Sequence, residues 1–296
     1  MIDFIKIYWS DKSYLEPFVC NVDNFQSLYF VCEQHTGEIS YPYKTNIESM
    51  NVVVNKKSGY VKNSIHKLFN VLNEDKEHNH NDFTYSNLCT SIDYLTSRLI
   101  DTENARISQL EFGLNINTSA AAETIIRKNV LMHQFRGYNH NRKYHGSGEL
   151  KQFDHSNYVI KVYDKAKQYR IEQNILRFEI KFLKSREFQK FGIYNINDLK
   201  NKENLKKLFE LLIQRFDEIT IVDDGASINI STEDNNKLRQ YLNPSFWEED
   251  LEGVHQQYKA RHRNKFNDLL ERNNLLKTKK ALKVALTNKF KYLISN

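Results

Sequence analysis

Two glutamates, a tyrosine and several cations sit at alternate positions of three apolar segments, and together those residue types could cut a phosphodiester. In residues 107–117, Leu110, Phe112, Leu114 and Ile116 alternate with Gln109, Glu111, Gly113 and Asn115. In 158–163, Tyr158, Ile160 and Val162 alternate with Lys161 and Tyr163. In 175–183, Leu176, Phe178, Ile180 and Phe182 alternate with Arg177, Glu179 and Lys181. Successive strand side chains point to opposite faces, so each segment has one apolar and one polar face. If the three are neighbours in one sheet, Glu111, Lys161, Tyr163, Arg177 and Glu179 converge on one surface. Two carboxylates on adjacent strands make a hard oxygen site suited to Mg²⁺ or Mn²⁺. A bound cation would polarise a phosphodiester, and a tyrosine oxygen can store the cleaved bond as a phosphotyrosine ester. With an ordinary pKa of about 10, the phenol needs help from a metal, a nearby cation such as Lys165, or a base. The same alternation also describes the solvent side of an ordinary antiparallel sheet, and the chain has 17 tyrosines to offer by chance.

The elements that must position these residues follow from periodicity. Ile2 to Tyr8, Ser27 to Cys32 and Met50 to Val54 read as strands. Asn73 to Asp82 reads as a solvated loop. Phe83 to Ile100 carries Leu88, Ile92, Leu95 and Leu99 at helical spacing, with Thr84 or Ser86 available as N-cap. Ala120 to Phe135 reads as a helix, as do segments around Asp198 to Phe216 and from Leu251 onward, with a weaker strand near Ile219 to Val222. The chemistry-bearing strands thus alternate with helices in an α+β fold. It comprises a central, mostly antiparallel sheet with helices on its apolar face and the catalytic cleft on the other. Asn243-Pro244-Ser245 suggests a boundary between a catalytic domain, 1–243, and a basic helical DNA-binding region, 244–296.

Composition narrows the classes further. With 296 residues, 40% hydrophobic and 27% charged, and only 9 Gly and 3 Pro, the chain is neither disordered nor fibrous. No apolar run reaches the ~18 residues of a membrane span, and the N-terminus lacks the pattern of a signal peptide. Cys20, Cys32 and Cys89 have no disulfide or metal spacing and read as reduced, buried thiols of a cytosolic protein. The formal net charge is +6, and from Leu251 to Asn296 eleven Lys/Arg stand against three acids. Such a block suits a polyanion partner or a solvated helix face equally well.

Several segments occur in the order and spacing of a known family. Leu110-Glu111-Phe112-Gly113-Leu114-Asn115-Ile116, Tyr158 to Lys165 and Ile175 to Lys181 carry the most specific motifs. They are supported by Asn63-Ser64-Ile65-His66-Lys67-Leu68-Phe69-Asn70 and by Phe191-Gly192-Ile193-Tyr194 through Asp198-Leu199. Over roughly residues 1 to 200 the chain resembles the gene-two/X replication initiators of filamentous phages and their relatives among plasmid rolling-circle initiators. The resemblance implies a nickase that attacks one origin strand through a tyrosine, stays on the 5′ phosphate, leaves a 3′ hydroxyl and later rejoins the displaced strand. Carried over by position, Tyr163 is the nucleophile, Glu111 and Glu179 are ligands of Mg²⁺ or Mn²⁺, and Arg177 and Lys165 are phosphate or transition-state partners. Tyr158 is the rival nucleophile, although alternation puts it on the apolar face. Related nickases often carry a His-hydrophobe-His strand; the tight pair here, His78-Asn79-His80, lies in a polar loop, so a third ligand is unassigned, with His66 and His155 as candidates. His133 reads as a packed helix residue.

DNA contact is expected from several further groups. His66, Lys67, Lys161 and Lys181 lie beside the motifs. Phe135, Arg136, Tyr138, Arg142, Lys143 and Tyr144 interleave aromatic and basic residues as single-strand sites do. Arg261, Arg263, Lys279 and Lys280 suit duplex phosphates. The implied partners are double- and single-stranded origin DNA, with a host helicase and polymerase beyond them; a homodimer is admitted, a membrane is not. A second class is a non-catalytic origin- or operator-binding protein of a phage or plasmid. A third, an RNA-binding protein using the sheet face, would show exposed aromatics there, where the pattern of the three segments supplies charges.

Overall fold

A computed structural model describes residues 1–140, 147–224 and 230–296. The expected DNA contacts Arg142, Lys143 and Tyr144 therefore lie outside the described residues.

The chain forms the expected α+β architecture around a large antiparallel sheet. Its strands are β1 (Ile2–Trp9), β2 (Tyr29–Cys32), β3 (Ile39–Ile47), β4 (Met50–Val54), β5 (Gly59–Ser64), β6 (Arg106–Asn117), β7 (Val130–His133), β8 (Leu150–Asp154), β9 (Tyr158–Asp164), β10 (Ile175–Phe182) and β11 (Ile219–Ile221). Nine of them make one sheet in the order β2-β3-β4-β5-β1-β6-β10-β9-β8, with β7 and β11 paired separately. The longer helices are α1 (Ile65–Glu74), α2 (Tyr85–Arg98), α3 (Lys202–Asp217), α4 (Thr232–Tyr241), α5 (Gln256–Arg272) and α6 (Lys277–Ser295).

Alternation decides which side of the sheet is dry. Ile5, Ile7 and Trp9 of β1, Leu110, Phe112, Leu114 and Ile116 of β6, and Leu176, Phe178, Ile180 and Phe182 of β10 are all buried in one core. Onto it pack Leu88, Ile92 and Leu95 of α2, Leu205, Leu208, Leu212 and Phe216 of α3, and Leu282, Leu286, Phe290 and Leu293 of α6. Each set recurs every three or four residues, the period of a helix stripe. Phe178 meets Phe216 edge-on at 5.5 Å, and Phe209 stacks on Phe290 at 4.1 Å. Thr84 caps α2 by accepting from Asn87 N–H.

Several expectations need correction. Ala120–Phe135 is not one helix: a short helical stretch (Ala122–Asn129) gives way to β7, where Val130–His133 pairs with β11, 86 residues away between His133 and Ile219. His133 is thus a strand residue. The cysteines are free but not buried: Cys20 ends a short surface helix, Cys32 lies on the edge strand β2, and Cys89 is half-buried. The expected boundary at 243/244 falls inside a second core. There Leu238 and Tyr241 of α4 pack with Phe246, Trp247 and Leu251, and with Phe266, Leu269 and Leu270 of α5. α6 then returns to the first core. Its start is capped from a distance, because the Lys277 and Thr278 N–H groups donate to the Asp223 carboxylate, an anion well placed at the positive end of a helix dipole.

Candidate active site

Register brings the predicted residues together on the polar face. β10 lies between β6 and β9, with Glu179 opposite Gly113 and Lys161, Lys181 opposite Glu111, and Arg177 opposite Asn115 and Tyr163. Gly113 is what permits this approach: a Cβ there would sit 2.3 Å from the Glu179 Cβ and 2.7 Å from the Phe178 carbonyl oxygen.

The cluster is held by ion pairs. Lys161 Nζ lies between the two acids, 2.8 Å from Glu179 Oε1 and 3.6 Å from Glu111 Oε2. Arg177 donates from Nε to Glu179 Oε2 at 2.6 Å, from Nη1 to Asn115 Oδ1 at 2.9 Å and from Nη2 to Asp3 Oδ2 at 3.2 Å. Lys181 Nζ is 3.0 Å from Glu111 Oε1. Burial alone would raise the Glu179 carboxyl, but Lys161 and Arg177 hold it down to about 2. Glu111, buried and facing Glu179, is pushed up against the counter-pull of Lys161 and Lys181.

Tyr163 lies within this network, 7% exposed. Its hydroxyl is 3.4 Å from Glu179 Oε2 and 3.5 Å from Lys165 Nζ. Burial and then the Glu179 charge push the phenol well above its ordinary value. Burial and then the Arg177 charge draw the Lys165 ammonium down to about 7. Above about pH 7 a neutral amine at Lys165 therefore faces a protonated phenol, in the arrangement of a base and its acid.

Three residues that sequence reasoning missed close one end of the cluster. Asp3 accepts from Ser64, from Asn79 Nδ2 at 2.8–2.9 Å and from Arg177. The Tyr169 hydroxyl donates to Asn79 Oδ1, and Asn115 Nδ2 donates to the carbonyls of Asn79 and His80 at 3.1 Å. The segment read as a solvated loop thus folds over the site, with Asn79 buried. Asp3 had a visible signal, a carboxylate in an otherwise apolar strand start; Asn79 had none.

The donor set does not fit a dication as arranged. An ammonium stands between Glu111 and Glu179, and all four of their carboxylate oxygens already face a lysine or arginine. Among the described residues no three His, Cys, Asp or Glu side chains gather as metal ligands would. An ion could enter only by displacing Lys161.

Other predicted residues lie elsewhere. Arg177 is 2% exposed, with its guanidinium bonded to Glu179, Asn115 and Asp3; it positions Glu179. His66 is buried, stacks on Phe83 at 4.6 Å and bonds Asn81 at 2.7 Å, so it is neither a ligand nor a DNA contact. His155 bonds His133 and stacks on Tyr158, away from the acids. Tyr158 pairs with Phe182 at the far end of β9, under Arg215, and meets neither glutamate. Lys67 pairs with Glu77 at 3.0 Å. Lys279 donates to the Asp217 and Ile219 carbonyls at 2.7 Å, a structural role, and Lys280 pairs with Glu271. Arg136, Arg261 and Arg263 are exposed, the last 5.2 Å from the Phe135 ring.

No protein-family model and no curated protein matches the chain. Among solved structures, it is similar to the rolling circle replication initiator protein from Geobacillus stearothermophilus. The two share 12% identity at a TM-score of 0.42, over 77% of this chain and 88% of the other.

Proposed function

We propose that the chain is a rolling-circle replication initiator that nicks one DNA strand through Tyr163 and rejoins it. The observation that carries this reading is the Tyr163 hydroxyl set between the Lys165 amine and the Glu179 carboxylate, on the polar face that also carries Lys161 and Lys181. In the proposed step Lys165 takes the phenolic proton and the phenolate attacks phosphorus. A Tyr163–O–P bond forms, the P–O3′ bond breaks, and the 3′ oxygen leaves on the side opposite Tyr163 and takes a proton from water. Lys161 and Lys181, with side chains 21% and 34% exposed, would meet phosphate charge in place of the glutamates they now face. No step is routed through Mg²⁺ or Mn²⁺. Under this reading the partners are duplex and single-stranded origin DNA with host helicase and polymerase. No helix among the described residues is long and apolar enough to cross a membrane.

Burial of the phenol favours a second reading, an origin- or operator-binding protein that performs no chemistry. One experiment separates them. Incubation with 3′-labelled single strands from the DNA flanking the gene, with Mn²⁺ or with EDTA, should yield a protein-linked fragment that Tyr163→Phe abolishes. Specific binding without any adduct in either condition would establish the second reading.

A further inference from the structure

The polar face continues past the tyrosine cluster onto β1, β5 and the start of β6, and there its cations have no acids. Lys6 and Lys62 are direct cross-strand partners, as are Tyr8 and Tyr60, and Arg106 stands opposite Tyr8. Lys6 Nζ lies 4.2 Å and Lys62 Nζ 5.4 Å from the Tyr60 ring centre, and the Arg106 guanidinium lies 5.0 Å from that of Tyr8. Among the described residues none of these three cations has a carboxylate within ion-pair distance, in contrast to Lys161 and Lys181. Like charges directly opposite in a sheet destabilise it. Burial and then the Lys62 charge lower the Lys6 ammonium accordingly.

Next to the pair, Tyr29, Lys44, Asn51, Val53, Tyr60 and Lys62 line an open hollow of about 380 Å³. In the other direction Phe4 lies 5.7 Å from Lys181 Nζ, which bonds Glu111. The cation-and-ring surface is therefore continuous with the Tyr163 cluster.

We propose that this face of β1, β5 and β6 holds single-stranded DNA, with phosphates on Lys6, Lys62 and Arg106 and unpaired bases against Tyr8 and Tyr60. The choice of DNA as the polymer rests on the reading in the preceding subsection. The choice of a single strand rests on the rings, since a duplex hides the base faces that aromatic side chains stack on. A phosphate laid across Lys6 and Lys62 removes the repulsion that the unliganded sheet carries.

Fluorescence anisotropy with labelled dT20 tests this on the full chain. The Lys6→Thr/Lys62→Thr double variant keeps strand-forming residues, and it should bind dT20 at least ~10-fold more weakly. Its plot of log affinity against log salt should be shallower by about 1.4, because two single-strand phosphate contacts are lost. The same variant should melt at a higher temperature without DNA, an outcome that mere damage to the fold would reverse. Tyr8→Ala/Tyr60→Ala should weaken dT20 binding ~10-fold or more and leave duplex binding unchanged, in line with the loss of base stacking. Should the double lysine variant misfold, Lys62→Thr alone should give about half the loss in log affinity. Unchanged dT20 affinity, equal losses on duplex and single strand, or tighter binding of rU20 would each overturn the proposal. Nicking is scored separately as a covalent adduct on the wild-type protein, so a dead tyrosine and a misplaced strand give different results.

Discussion

Lys161 Nζ occupies the gap between Glu179 and Glu111, 2.8 Å from one carboxylate and 3.6 Å from the other. This ammonium thus offsets the repulsion between the two carboxylates carried by β6 and β10.

Replacing that ammonium should open the position. Lys161→Met leaves two buried carboxylates facing each other and should cost up to about 3 kcal/mol, the lower end for breaking a buried ion pair, since Lys161 is partly exposed. Mn²⁺ should then raise the melting temperature of the variant but not that of the wild type in a thermal-shift measurement. Equal stabilisation of both proteins would mean that the lysine yields readily to the ion.

Gly113 is expected to tolerate no side chain. In Gly113→Ala the new methyl meets the backbone and Cβ of Glu179 under 3 Å, so β10 must shift against β6. Overpacking of this kind costs about 1–3 kcal/mol. Chemical denaturation should show that loss. Adduct formation should fall by more than the loss of folded protein explains, because Glu179 and Arg177 move together.

Lys165 should set a pH dependence. With its folded pKa drawn from 10.5 to about 7, the amine is a base only above about pH 7. The rate of adduct formation should rise with pH up to that point and level off, and Lys165→Arg should abolish the rise. The stability consequence has a definite sign. Between about pH 7 and 10.5 the unfolded lysine carries a proton that the folded one lacks, so stability increases with pH in that window. Urea titrations from pH 6 to 10, roughly spanning the window, should show this slope in the wild type relative to Lys165→Met; a flat difference would place the ammonium in solvent.

The final helix should behave as core rather than as an appendage. Leu286→Ala removes a fully buried side chain and should cost ~2–5 kcal/mol. Guanidinium unfolding followed by fluorescence checks it, with a surface change such as Val284→Ala as the control expected within ~0.5 kcal/mol.

What the sequence revealed was what local alternation controls. β6, β9 and β10 are long enough for a period of two to be plain, and the same period assigns Glu111, Lys161, Tyr163, Arg177 and Glu179 to one face. β3, with Pro42 inside it, and the largely polar β5 and β8 lack that contrast, and their pairing partners rather than their composition make them strands. Val130–His133 was hidden for a related reason: apolar residues spaced for either helix or strand are decided by β11, far along the chain.

The reading of site residues met the same limit. Proximity of a tyrosine to two acids could be inferred from parity, but not that lysine and arginine would fill the space between the acids. Asp3 and Asn79 come from segments outside the three motif strands and reach the cluster only through tertiary packing. Lys279 and His66 show the converse: residue types suited to DNA that the fold uses for internal hydrogen bonds.

The contact between Arg177 and Asp3 joins residues 174 positions apart. Closing so long a loop carries an entropic cost repaid only once the intervening strands have paired. The Tyr163 cluster should consequently be among the last parts to form during refolding, so the nicking proposed for it would be out of reach of a partly folded or nascent chain.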